Sequence, residues 1–196
     1  MNDYYHRPSR RIIQKAMEVL GENPKECISQ TDLDKLAELD SVRDAFRAMN
    51  LDPQALDLRL CDEDPPDCQA YDETGNLVGW EVTGIYDQDV ERMNADAKTI
   101  KDMKYRDWEE DELVTEIASR IIEKDGKIGI ARATRSEWNF AYVNLLIISD
   151  EPIITREMVG AMQGRFNNLK TNDLREVYFL LSYHPDIKGC PCIRLR

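Results

Sequence analysis

In the stretch Pro65-Pro66-Asp67-Cys68-Gln69-Ala70-Tyr71-Asp72-Glu73-Thr74-Gly75-Asn76-Leu77-Val78-Gly79-Trp80-Glu81-Val82-Thr83, turn-forming residues separate two runs with strand-like alternation. Asp72 to Asn76 is strong turn chemistry, because Gly75 and Asn76 both tolerate positive φ. If the turn centres on Thr74, Tyr71 faces Leu77, Gln69 faces Gly79 and Asp67 faces Glu81. Directly opposed Cβ atoms in such a pair lie about 4.5–5.5 Å apart. Two carboxylates so placed repel unless a proton or a cation sits between them. Side chains alternate across a strand, so Thr83 shares the face of Glu81, while Val78, Trp80 and Val82 turn to the other, core face. The polar face then presents Asp67, Glu81 and Thr83, with open room beside Gly79. That set suits a hard metal ion.

Outward from the hairpin, helical spacing dominates the first fifty residues. Ile12, Ile13, Ala16, Met17 and Leu20 mark one helix, stopped by Gly21 and Pro24. Leu33, Leu36, Leu39, Val42, Phe46 and Met49 mark a second, ended by Asp52-Pro53. Leu56, Leu58 and Leu60 alternate as a half-buried strand. A long helix is expected from Asp111 to Lys127, with Leu113, Ile117, Ile121 and Ile122 inward. Phe140 to Ser149 reads as a strand buried on both faces. Ile154 to Phe166 follows as a helix, Val177 to Tyr183 as a strand and Ile193 to Leu195 as a short last one. The expected fold is an α/β (α+β) mixed sheet, an antiparallel meander followed by a βαβ crossover, with helices on both faces. Residues 1–50 form an N-terminal helical segment packed on the core, and residues 51–196 the α/β domain.

The chain has 38 acidic and 26 basic residues among 196, a net charge of -12. Residues 51–110 hold seventeen acids and six bases, whereas residues 111–196 hold twelve of each. An acidic block of this kind excludes a basic nucleic-acid coat but not a local basic patch. The strongly apolar stretch Val143 to Ile148 is too short to span a bilayer, and the polar start Met1 to His6 does not read as a secretory leader. A cytoplasmic protein without membrane partners is expected. Five cysteines (Cys27, Cys61, Cys68, Cys190, Cys192) read as reduced thiols. Cys190-Pro191-Cys192 near His184 invites a zinc reading, but burial as small core residues is preferred. His184 reads as a surface residue at a strand end. Trp108, Trp138 and Tyr142 offer stacking surfaces for bases, although packing is the commoner use of such residues. No nucleophile elbow, phosphate loop or dinucleotide fingerprint is present.

Pro65-Pro66-Asp67, thirteen residues, then Glu81-Val82-Thr83 resembles the signature of the PD-(D/E)xK nuclease superfamily. The order of elements from 32 to 149 is also similar to that family's α-β-β-β-α-β core. The resemblance implies a restriction-endonuclease-like core and metal-dependent hydrolysis of phosphodiester bonds, of DNA first and RNA second, and it allows a homodimer. It further implies Mg²⁺ (or Mn²⁺) held by Asp67 and Glu81, with Glu38 as an acid contributed by the N-terminal helix and Glu18 as the other choice. Thr83 stands where the family has lysine. Some members carry that cation on the following helix, and Arg120, Lys124 and Lys127 are the candidates here, with Lys124 preferred and Lys127 next. Two other readings remain open: a non-catalytic relative acting as a binding or assembly factor, and an acidic decoy that imitates nucleic acid.

Overall fold

A computed structural model describes residues 30–86, 90, 105–151, 153–182 and 189–196. The expected helix over 12–20, Glu18, Cys27 and His184 lie outside these residues. The elements are α1 (Gln30–Ala48), β1 (Arg59–Leu60), β2 (Cys68–Tyr71), β3 (Leu77–Gly84), α2 (Glu110–Thr134), β4 (Tyr142–Ser149), α3 (Arg156–Ala161), β5 (Leu174–Leu181) and β6 (Cys192–Arg194). They build one six-stranded mixed sheet in sequential order. β1, β2 and β3 pair antiparallel, β3–β4 and β4–β5 pair parallel, and β6 returns antiparallel to β5.

The β2–β3 register is the one expected, with Tyr71 opposite Leu77 and Gln69 opposite Gly79. Asp72 fixes the turn by accepting from the N–H groups of Thr74 and Asn76, both at 2.9 Å, and from the Tyr142 hydroxyl at 3.0 Å. The Thr74 hydroxyl, followed by Asn76, holds the Asp72 carboxyl well below the usual range. That stabilisation is present above the pKa of an unfolded aspartate and is lost only as pH falls through the depressed folded value.

Both faces of β3 are covered, so no solvated polar face exists. Val78, Trp80 and Val82 pack with Val42, Ala45 and Phe46 of α1. Ile85 joins Leu113, Ile117, Ile121 and Ile128 of α2 on the other face. Glu81 and Thr83, which share that second face, are buried, Glu81 with 0% exposure. The room expected beside Gly79 is filled: a Cβ there would lie 2.7 Å from Pro66 Cγ and 3.1 Å from Val143 Cγ2. Glycine lets the proline ring sit against β3, and this seats the residue before Asp67.

Other expectations shift for local reasons. Leu56 and Leu58 lie in a turn rather than in β1, because their N–H groups bond Asp52 O and Pro53 O and Asp57 takes a φ of 51°. α2 runs past Gly126 and Gly129 to Thr134, since Ile128 and Ala131 find core positions. Ile122 and Leu36 face outward, at 58% and 39% exposure. α3 is only six residues long, and turns follow it, with Gly164 at a φ of 83°. β5 begins early because the buried Asp125 carboxylate accepts the N–H groups of Asn172, Asp173 and Leu174. Among the described residues, no helix is long and apolar enough to cross a membrane.

Gly79→Ala should lower stability by about 1–3 kcal/mol through overpacking against Pro66 and Val143. Chemical denaturation measures it; an unchanged midpoint would mean that Pro66 does not press on β3.

Candidate metal centre beneath α2

Three carboxylates converge where the β1–β2 connection meets the middle of β3. One oxygen from each of Asp64, Asp67 and Glu81 lies within 4.8 Å of the others. Asp67 stands one residue ahead of β2, and its Oδ2 accepts the Val82 N–H at 2.7 Å, which ties it to β3. Glu81 forms the floor. Its Oε1 accepts from Lys124 Nζ at 2.6 Å and from Lys127 Nζ at 3.4 Å, whereas its buried Oε2 has no hydrogen-bond partner among the described residues. Lys124 also reaches Val82 O at 3.3 Å. Lys127 bridges outward to Asp64 Oδ1 at 2.9 Å.

The site grades from dry to wet. The side chains of Glu81 and Lys124 are 0% and 14% exposed, those of Lys127 and Asp64 42% and 55%. Asp64 and Lys127 thus form a rim through which a ligand can reach the floor. Lys124 and Lys127 lie three apart on α2, so their stems leave one helix face, and each carries its ammonium past apolar neighbours to the acids.

Charge at the site is unbalanced. Burial, then the charges of Asp64 and Glu81, push the Glu38 carboxyl up to about 7. Burial, then Glu81 and Glu38, raise Asp67 well above the usual carboxylate range against the pull of the Val82 N–H and Lys124. Burial opposes the Lys127 ammonium, but Glu81 and Asp64 outweigh it and hold its pKa above that of a free lysine. Four carboxyl groups thus face two ammonium groups, and the excess acid is offset either by protons, which the raised Asp67 and Glu38 values favour, or by a divalent cation that would displace them. The donor set fits a hard cation: all oxygen, one atom unpartnered, and one wall open to solvent.

Among the sequence candidates, Asp67, Glu81, Lys124 and Lys127 come together, and Thr83 lies buried two residues beyond Glu81 on the same face. Glu38 feels the cluster, but the third carboxylate of the close group is Asp64. Arg120 pairs along α2 with Glu116 at 2.9 Å and Glu123 at 3.5 Å. The proposed stacking residues are engaged elsewhere. Trp108 is buried, Trp138 packs edge-on against Phe140, and Tyr142 bonds Asp72 beneath the Arg175 guanidinium. Among the described residues the thiols form no metal-ligating group. Cys68 is buried, and burial pushes Cys61 and Cys192 up to about 12.

Sequence reading missed two residues, Asp64 and Arg135. Arg135 ends α2 and grips the connection that carries Asp64, donating to Asp64 O and Pro65 O, to Glu63 O at 3.4 Å, and pairing with Glu63 Oε2 at 3.1 Å. Its position eleven residues after Lys124, about three helical turns, was a usable signal. Comparison with family models, with curated proteins and with solved structures returned no match.

Lys124→Met should destabilise the metal-free protein by about 3–5 kcal/mol, because it strands a buried carboxylate. Adding Glu81→Leu should recover most of that loss in thermal unfolding. A loss below about 1 kcal/mol in the single variant would mean that the pair is solvated.

Proposed function

We propose that the chain is a divalent-metal-dependent phosphodiesterase acting on nucleic acid, DNA before RNA. The observation that carries this reading is the convergence of Asp64, Asp67 and Glu81, with Glu81 Oε2 unpartnered among the described residues, beside two lysines donated by α2. The likeness to PD-(D/E)xK nucleases adds support, since the strand carrying Glu81 lacks its lysine at Thr83 and α2 supplies ammonium groups to the same acid. Asp67, Glu81 and Asp64 would hold Mg²⁺ or Mn²⁺, with Glu38 as an outer acid. When bound, such an ion supplies Lewis-acid polarisation of a phosphoryl oxygen and lowers the pKa of adjacent water.

The chain's own groups do the rest. Lys124 is largely buried and held by Glu81 and Val82 O, so its charge stands at a fixed point in a poorly screened environment. Preorganised charge of this kind favours a transition state in which negative charge grows. Lys127 stands at the rim, where a phosphate would enter, and its ammonium can shift from Asp64 to a phosphate oxygen. Glu81 orients both lysines through its Oε1. The acidic block of residues 51–110, to which Asp64, Asp67 and Glu81 belong, would repel DNA except where these lysines face it.

With Mn²⁺ present the protein should cleave DNA. Lys124→Ala should slow cleavage about a hundredfold or more and leave Mn²⁺ binding in place, because an ammonium is not a ligand. Glu81→Ala should lose both. Mn²⁺ binding without cleavage of DNA or RNA would overturn the enzyme reading in favour of a metal-binding assembly factor. Failure to bind Mn²⁺ would overturn the metal centre itself.

A further inference from the structure

We propose that Arg135 is the positioning residue that sets Asp64 as the surface-side ligand of the cation site, an inference that rests on the function proposed above. Asp64 is the weakly anchored member of the three, its carboxylate paired with the half-exposed Lys127 ammonium at 2.9 Å. Its side chain is 55% exposed, and it lies in the connection between β1 and β2, outside the sheet ladder. Asp67 is held by the Val82 N–H, and Glu81 is part of β3, so both keep their places without help. An exposed ion pair to Lys127 restrains such a loop aspartate only weakly, and ordering its main chain on binding would weaken affinity.

Arg135 removes that freedom at the main chain. Its guanidinium donates to three successive carbonyls, those of Glu63, Asp64 and Pro65, and its Nε lies 3.1 Å from Glu63 Oε2. The backbone on both sides of the Asp64 Cα is therefore pinned. A planar fork with five donors can serve several acceptors at once, and a lysine cannot. The grip also has a rigid base. Arg135 is the C-cap residue of α2, its own N–H bonded to Ala131 O at 2.9 Å, and α2 is the 25-residue helix that supplies Lys124 and Lys127. One helix thus places the two ammonium groups directly and the outer carboxylate through Arg135. Groups that orient metal ligands commonly change affinity 10–100-fold when removed.

A purely structural clamp makes a different prediction, which a double-mutant cycle separates. Mn²⁺ affinity is measured by titration calorimetry on the full chain carrying Arg135→Met, Asp64→Asn, both together, or Glu81→Ala, with thermal unfolding of each recorded without metal. Arg135→Met should weaken Mn²⁺ binding about tenfold or more. The double variant should bind no worse than Asp64→Asn alone, because Arg135 acts through Asp64. Native affinity in Arg135→Met, or losses that simply add in the double variant, would overturn the proposal. If Arg135→Met does not fold, Arg135→Gln, which keeps one donor pair, takes its place, and the same weakened or native affinity supports or overturns the proposal. Glu81→Ala binding Mn²⁺ as tightly as the native chain would sink the metal centre as a whole. Lost binding in Glu81→Ala with native affinity in Arg135→Met would sink the role of Arg135 alone.

Discussion

The Glu81 carboxylate sits with no solvent exposure between β3 and α2, and among the described residues it is paired on only one of its two oxygens. An ionised carboxylate in that position is tolerable only beside fixed positive charge. α2 must therefore lie where Lys124 reaches it, and β3 must keep the register that points residue 81 toward the helix rather than toward α1. The apolar contacts on the same face, Ile85 against Leu113, Ile117 and Ile121, set the spacing that makes a 2.6 Å ion pair geometrically available. Core packing and site geometry are thus one arrangement: a shift of α2 by a turn would strand Glu81.

The same dependence reaches the loop ahead of β2. Gly79 leaves space for the Pro66 ring, Pro66 leads into Asp67, and Asp67 is locked by the Val82 N–H. On the far side Arg135 holds the backbone of residues 63–65 from the end of α2. The connection between β1 and β2 is long and has little regular structure, yet it is gripped at both ends by elements of the core. That explains how two of three converging carboxylates can come from outside the sheet ladder.

Much of this was legible in the sequence. The turn residues Asp72 to Asn76 fix the hairpin register, and the register places Asp67 near Glu81. Helical spacing brings Lys124 and Lys127 to one face of α2. Alternation along β3 separates Glu81 and Thr83 from Trp80 and Val82, but it does not say that both faces are covered, so a buried acid looked like a solvated one. Leu56 and Leu58 alternate like a strand and yet lie in a turn, because Asp52-Pro53 captures their N–H groups. The helix around Gly126 and Gly129 outruns its propensity, since burial of Ile128 and Ala131 outweighs the cost of the glycines. Asp64 and Arg135 escaped because their contact spans 71 positions and runs through main-chain carbonyls, and the helical spacing of Arg135 from Lys124 was the one trace of it in the sequence.

The central claim is that these acids form a cation site rather than an over-charged ion-pair network. Anomalous scattering from crystals of the native protein soaked in Mn²⁺ tests it most directly. The account predicts one strong peak within coordination distance, about 2.0–2.3 Å, of oxygens from Asp64, Asp67 and Glu81, including Glu81 Oε2. No peak at saturating Mn²⁺, or a peak bound elsewhere while Lys124 and Lys127 keep their pairing with Glu81, would contradict it.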